Sequence, residues 1–77
     1  MTDKPEILVD ARGHRCPVPT LRLRRALERA LPGQVVRLLA DDPLARIDVP
    51  HFVRTEGFRL LDSASEGGGL VFLVVKD

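Results

Sequence analysis

Cysteine is nearly missing from this 77-residue sequence, in which Cys16 is the single thiol. One thiol excludes an intramolecular disulfide, a Cys-x-x-Cys redox pair and a zinc ribbon. The sequence also has no tryptophan or tyrosine and only three phenylalanines, so it offers little surface for stacking bases or sugars. With two separated histidines beside one cysteine, we expect neither a metal site nor a cofactor.

Long apolar segments and a strong net charge are missing as well. The longest apolar run, Leu70 to Val75, is far shorter than the roughly 18 residues that a membrane span needs. The first residues lack the apolar region of a signal peptide, so we expect a cytoplasmic protein. A net charge of +1 predicts no general attraction to nucleic acid or membranes. The length suits one domain, residues 1–77, with residues 1–5 as a flexible tail.

Hydrophobic patterning predicts the element order βαβααββ, in which the second helix is in two pieces; counted as one helix, the order is βαβαββ. The strands are expected over about Glu6–Asp10, Gln34–Ala40, Phe58–Ala64 and Leu70–Lys76. A helix between the first two strands makes them parallel, and the glycine-rich turn before Leu70 makes the last two an antiparallel hairpin. We therefore expect a two-layer α/β sandwich (α+β), a four-stranded mixed sheet with the helices on one face.

Prolines mark the limits of both predicted helices. The first helix should open within the segment Gly13 to Pro19, with Cys16 at its N-cap or in its first turn. It should end at Pro32-Gly33 and turn one apolar stripe to the core. That stripe consists of Leu23, Ala26, Leu27, Ala30 and Leu31. The second helix should begin at Pro43 with Asp42 as its N-cap. Pro50 should break it into a short turn to about Ile47 and a second piece starting near Val49.

Cys16 lies at the predicted start of the first helix, where unpaired N–H groups and the helix dipole favour an anion. Arg12 and Arg15 add positive charge, so we expect an exposed thiol with a lowered pKa. Pro17 and Pro19 should hold the thiol in position and contribute little else. The alternative is a small, buried cysteine with a structural role.

Four other polar residues carry weaker signals. His14 could assist proton transfer near Cys16, although a solvated side chain is the simpler interpretation, and His51 is interpreted as a surface residue. Asp41 and Asp42 follow the second strand. They could contact the loop of the thiol, because both loops leave the same edge of a parallel pair.

Side chains on the first helix could form a partner-docking surface. Val18 and Leu21 lie off the core stripe beside the thiol, which indicates either a partner contact or a covering loop. Arg22, Arg25 and Arg29 lie on the side of the helix away from the core. They form either a solvated face or a row that steers acidic partners.

Several short motifs in a fixed order carry a family resemblance. They are Asp10-Ala-Arg-Gly13, Cys16-Pro-Val-Pro19, Pro32-Gly33, Asp41-Asp42-Pro43, Asp48-Val-Pro50 and Gly57-Phe58. In this spacing the chain resembles the TusA/SirA-like family of sulfur carriers from about Ile7 to Lys76. Val53 stands where several relatives have a second cysteine, so a resolving thiol within the same molecule is excluded.

The resemblance implies a function centred on Cys16. The family's motif cysteine accepts sulfane sulfur as a persulfide from a donor protein of the cysteine desulfurase or rhodanese type. It then passes the sulfur to an acceptor protein in tRNA thiolation, molybdenum-cofactor assembly or sulfur oxidation. Two other classes stay open: a small RNA-binding module that uses the arginines of the first helix, and a regulatory interaction domain with a structural Cys16.

Overall fold

The chain folds as two helices packed on a four-stranded sheet, and the computed structural model describes residues 5–76. The strands are β1 (Ile7–Asp10), β2 (Val35–Ala40), β3 (Arg59–Glu66) and β4 (Gly69–Val75), and the helices are α1 (Val18–Arg29) and α2 (Ala45–Thr55). This confirms the predicted two-layer sandwich. Neither helix among these residues is long and apolar enough to cross a membrane.

The expected flexible tail, residues 1–5, lies outside the described residues except for Pro5. The carbonyl oxygen of Pro5 accepts a hydrogen bond of 2.8 Å from Nε2 of Gln34. Gln34 is itself buried, and its Oε1 accepts a hydrogen bond from the backbone N–H of Leu31. Pro5 is therefore joined to the folded body directly before β1.

The strand order of the sheet is β1-β2-β4-β3. β1 is parallel to β2, while β4 is antiparallel to both β2 and β3. Gly67 and Gly68 connect β3 to β4 with φ values of 53° and 83°, a conformation that glycine adopts without steric cost. β4 is central, which explains why its apolar run does not alternate with polar residues. β1 and β3 are the two edge strands.

The core lies between the helices and one face of the sheet. Fully buried side chains include Leu23, Leu27, Val36, Leu38, Val49 and Val74. The predicted stripe of α1 is confirmed at Leu23, Leu27 and Ala30, and Ala26 is half-buried. The prediction is wrong for Leu31, which is 57% exposed. Its side chain leaves the stripe because the backbone becomes extended at Ala30, with ψ of 152°.

The predicted break in the second helix is also wrong, because α2 continues through Pro50. A proline inside a helix removes one backbone donor, here the N–H that would bond to the carbonyl of Arg46. The buried side chains of Val49, Phe52 and Val53 lie on both sides of this position. Their packing against the core holds the helix together across the lost hydrogen bond.

The burial difference along α1 predicts unequal effects of one substitution at two leucines. Leu23 is fully buried, whereas Leu21 is 56% exposed. Leu23→Ala should lower the free energy of unfolding by about 2–5 kcal/mol, while Leu21→Ala should change it by less than about 0.5 kcal/mol. Urea denaturation followed by circular dichroism measures both. Equal losses would contradict the assigned core face of α1.

Candidate functional site

Cys16 lies in the loop between β1 and α1, which we call the thiol loop (residues 11–17). It precedes Val18, the first residue of α1, by two positions. The Cys16 side chain is half-buried and packs against the hydrophobic core, and its peptide bond to Pro17 is cis. The expectation of an exposed thiol on the helix start is therefore wrong in part. The thiol is only partly accessible and lies just before the helix.

Two carboxylates hold the thiol loop in place. Both belong to the loop between β2 and α2, which we call the aspartate loop (residues 41–44). Oδ2 of Asp42 accepts a hydrogen bond of 2.8 Å from the Cys16 N–H, and both carboxylate oxygens of Asp41 lie 3.0 Å from the Gly13 nitrogen. The predicted contact between the two loops is thereby confirmed. Asp42 also accepts a hydrogen bond of 3.0 Å from the Leu44 N–H through Oδ1.

The beginning of α2 differs from the predicted one. The helix begins at Ala45, not at Pro43, and the residue at its N-cap is Leu44, which has no side-chain hydrogen bond to the helix. Asp42 therefore stabilises the turn that leads into α2 and is not the N-cap of the helix itself. Its remaining oxygen is the one that holds the Cys16 backbone.

A third carboxylate, that of Asp48 on α2, lies close enough to the thiol to affect its pKa. Burial of the thiol, then its side-chain hydrogen bond to Asp48 and the negative charges of Asp48 and Asp42, raise the pKa of Cys16 from 9.0 to about 11. The expectation of a lowered pKa is therefore wrong. Desolvation and nearby negative charge both disfavour a thiolate, and here they outweigh the positive end of the helix dipole.

The two arginines expected to acidify the thiol act on carboxylates instead. Arg12 donates from Nε and Nη2 to the carboxylate of Asp10 at 2.9 and 2.8 Å, and this pairing lowers the pKa of Asp10 to about 2. The pKa of Asp42 is also lowered. The main cause is the pair of hydrogen bonds that it accepts from the backbone N–H groups of Leu44 and Cys16, and the positive charge of Arg15 contributes less. Neither arginine is among the groups that shift the pKa of Cys16.

The two motif prolines occupy different environments. Pro17 is exposed and lines the cleft beside the thiol. Pro19 is among the fully buried side chains, so the expectation that it does little besides position the thiol is wrong. A buried proline in the first turn of α1 also contributes to the packing of that helix on the core.

A cleft of about 280 Å³ separates α1 from α2 beside the thiol loop. Its lining residues are Pro17, Thr20, Arg24, Asp48, His51, Phe52, Thr55 and Glu56. The guanidinium of Arg24 lies 5.3 Å from the centre of the Phe52 ring and 3.5 Å from a Glu56 oxygen. Sequence reasoning assigned no role to Arg24 or Asp48. The signal for Asp48 was its motif, Asp48-Val-Pro50.

The remaining predicted residues lie on the surface around the thiol loop. His14 and His51 are both exposed, which confirms the surface assignment of His51. On α1, Val18 is half-buried, while Leu21, Arg22 and Arg25 are exposed. Among residues 5–76 no three histidine, cysteine, aspartate or glutamate side chains are grouped closely enough to hold a metal ion.

Comparison with known proteins shows to which family the chain belongs. The family model described as Sulfurtransferase TusA matches residues 7–76. The chain belongs to the TusA family. Its TusA-family relatives include the sulfur carrier protein TusA of Allochromatium vinosum, 38% identical over 68 residues that cover 88% of this chain and 90% of the relative. The TusA of Pseudomonas aeruginosa is 30% identical over 76 residues, with 99% and 96% covered.

A solved structure of the same fold agrees with this assignment. The crystal structure of a SirA-like protein from Desulfitobacterium hafniense superposes with a TM-score of 0.74 and 27% identity, covering 90% of this chain and 93% of the other. Membership in the TusA family supports a sulfur-carrier role for the chain. It also implies, in general terms, contact with proteins that donate and accept sulfur.

The contact between Asp48 and the thiol predicts how alkylation of this TusA-family protein depends on pH. Asp48→Asn removes a negative charge that disfavours the thiolate, so the pKa of Cys16 should fall from about 11 toward 9.0. At pH 8 the variant should therefore react faster with iodoacetamide, and its half-maximal rate should occur at lower pH. Asp62→Asn, an exposed position on β3, is the matched control. Identical pH profiles for all three proteins would contradict the contact.

Proposed function

We propose that the protein is a sulfurtransferase that carries sulfane sulfur as a persulfide on Cys16. The observation that supports this most directly is the environment of the single thiol. Its backbone N–H donates a hydrogen bond of 2.8 Å to Asp42, and Asp48 is close enough to raise the pKa of its thiol. A carrier needs a reactive sulfur at a defined position, and a proton acceptor in contact with it allows the thiol to become a nucleophile.

The transfer step conserves atoms and needs no oxidant. Cys16 Sγ attacks the outer sulfur of a donor persulfide, R–S–SH, and gives up its proton as the new S–S bond forms. The S–S bond of the donor breaks, and the donor sulfur leaves as a thiolate that takes a proton. The products are the donor thiol and a Cys16 persulfide, whose outer sulfur then moves to an acceptor by the same exchange.

Asp48 takes the proton of Cys16 in this mechanism. Because the pKa of Cys16 is raised to about 11, the thiol is almost entirely protonated at pH 7. The resting thiol is therefore protected from oxidation, which acts on thiolates. Attack on a donor requires a base at the thiol, and we assign this role to Asp48, the carboxylate that contributes most to raising the pKa of Cys16.

Partner proteins are expected to dock around the thiol loop. The donor would be of the cysteine desulfurase or rhodanese type, and the acceptor a relay protein in tRNA thiolation, molybdenum-cofactor assembly or sulfur oxidation. Val18 and Leu21 supply apolar contacts for docking, and Arg22 and Arg25 supply charge. A persulfide relay needs a compartment that keeps thiols reduced, so we place this function in the cytoplasm.

Sulfur loading tests the proposed function directly. Incubation with a cysteine desulfurase and cysteine should add the mass of one sulfur atom to the protein, and a reductant should remove it. Cys16→Ser removes the single thiol and should abolish the added mass, which intact-mass spectrometry detects. No added mass with desulfurase or rhodanese donors, or equal added mass in the serine variant, would overturn the proposal.

Asp48→Asn also separates proton acceptance from simple electrostatics. If Asp48 accepts the Cys16 proton, the variant should alkylate faster and yet receive sulfur more slowly than the parent, by about tenfold or more. If Asp48 only repels the thiolate, both reactions should become faster. Single-turnover transfer from a persulfidated donor protein, followed by quenched-flow mass spectrometry, distinguishes these outcomes. Asp62→Asn again serves as the control.

A further inference from the structure

A large groove lies away from the thiol, between α1 and the edge strand β1. Its volume is about 520 Å³. One wall is formed by Ile7, Leu8 and Val9, and the other by Arg22, Arg25, Ala26 and Arg29. The groove thus combines an apolar strand with a row of three arginines, a combination that the sulfur-transfer chemistry at Cys16 does not use.

The strand side of the groove has backbone groups that lack a partner among residues 5–76. In this part of the chain β1 is an edge strand and pairs with β2 alone. The N–H of Ala11 donates to the Leu39 carbonyl of β2 at 2.8 Å. Since peptide groups alternate in direction along a strand, those of Leu8 and Asp10 point to the open edge. The Asp10 carbonyl accepts a hydrogen bond from the Arg22 guanidinium, whereas Leu8 is 61% exposed.

The helix side of the groove has uncompensated positive charge. Within residues 5–76, neither Arg25 nor Arg29 has a carboxylate within 4.0 Å, in contrast to Arg12, Arg24 and Arg37. Like charges three and four residues apart weaken a helix. An acidic ligand would relieve this repulsion, and the three arginines line the groove opposite β1.

We propose that this groove binds an extended acidic segment of a partner protein, which pairs with the edge of β1 and places its carboxylates on the arginine row. Addition of a strand to a sheet edge is an established mode of peptide recognition, in which backbone bonds provide affinity and side chains provide specificity. RNA fits less well, because the residues that line the groove include no aromatic side chain for base stacking.

This inference rests on the proposed function and specifies its partner. The Arg22 end of the groove lies at Asp10, the last residue of β1, directly before the thiol loop begins. A segment seated in the groove would therefore anchor the rest of its protein beside the loop that carries Cys16. Charge complementarity would raise the association rate more than the final affinity.

Peptide binding tests the groove without any sulfur chemistry. Fluorescence anisotropy at low salt should show that an eight-residue peptide of alternating Glu and Val binds, and that its Gln-Val counterpart binds at least about tenfold more weakly. The double variant Arg25→Glu/Arg29→Glu should lose about tenfold or more. Arg46→Glu/Arg54→Glu makes the same charge change on α2 and should retain affinity within about twofold. Equal weakening by both double variants would overturn the proposal.

Strand pairing and nucleic-acid binding are tested with two further probes. N-methylation of either the Glu or the Val residues blocks alternate backbone donors, so one of the two methylated peptides should lose binding. Unchanged binding of both would overturn the strand-pairing geometry. An eight-nucleotide single-stranded RNA serves as the competing ligand. Binding of the RNA but not of the acidic peptide would overturn the proposal in favour of nucleic-acid recognition.

Two controls keep this inference separate from the proposed function. Cys16→Ser should bind the acidic peptide as the parent does, because the groove contains no thiol. Inorganic polysulfide should load the parent with sulfur equally in the presence and absence of the acidic peptide. Peptide binding without sulfur loading would overturn only the proposed carrier function. Sulfur loading without peptide binding would overturn only the proposal that the groove binds an acidic segment.

Discussion

The hydrogen bonds of the Asp42 carboxylate are the interaction on which the functional region depends. One oxygen accepts the N–H of Cys16 and the other that of Leu44, so a single side chain joins the thiol loop to the approach of α2. Bonds from backbone N–H groups to a carboxylate are stronger than neutral ones. This connection sets where the thiol lies relative to the first turn of α2, and hence relative to Asp48.

Negative charge, rather than positive charge, dominates the surroundings of the thiol. The basic side chains close to it in sequence act elsewhere: Arg12 pairs with Asp10 and Arg15 acts on Asp42. The carboxylates that reach the thiol come from distant parts of the chain. Burial of the thiol and these carboxylates favour the protonated form of Cys16.

Local patterns predicted most of the fold, because they report on features that each segment contains by itself. Apolar spacing in α1 identified Leu23 and Leu27 as core residues, and the glycine-rich turn identified the β3–β4 hairpin. Pro50 misled the prediction, since the cost of one missing hydrogen bond is local while the burial of Phe52 and Val53 that offsets it is not. The prediction for Leu31 was wrong because the backbone leaves the helical conformation at Ala30, so that the helical spacing no longer applies to the next residue.

The sequence by itself determined that any thiol chemistry uses Cys16, that the thiol lies close to the start of a helix, and that the loop with Asp41 and Asp42 leaves the same edge of the sheet as the thiol loop. These conclusions follow from residue identity and chain order. The tertiary structure alone decided the sign of the pKa shift, the contact with Asp48 and the groove along β1. Burial and electrostatic interactions depend on distances through space, and the strand order that leaves β1 at an edge depends on how the sheet assembles.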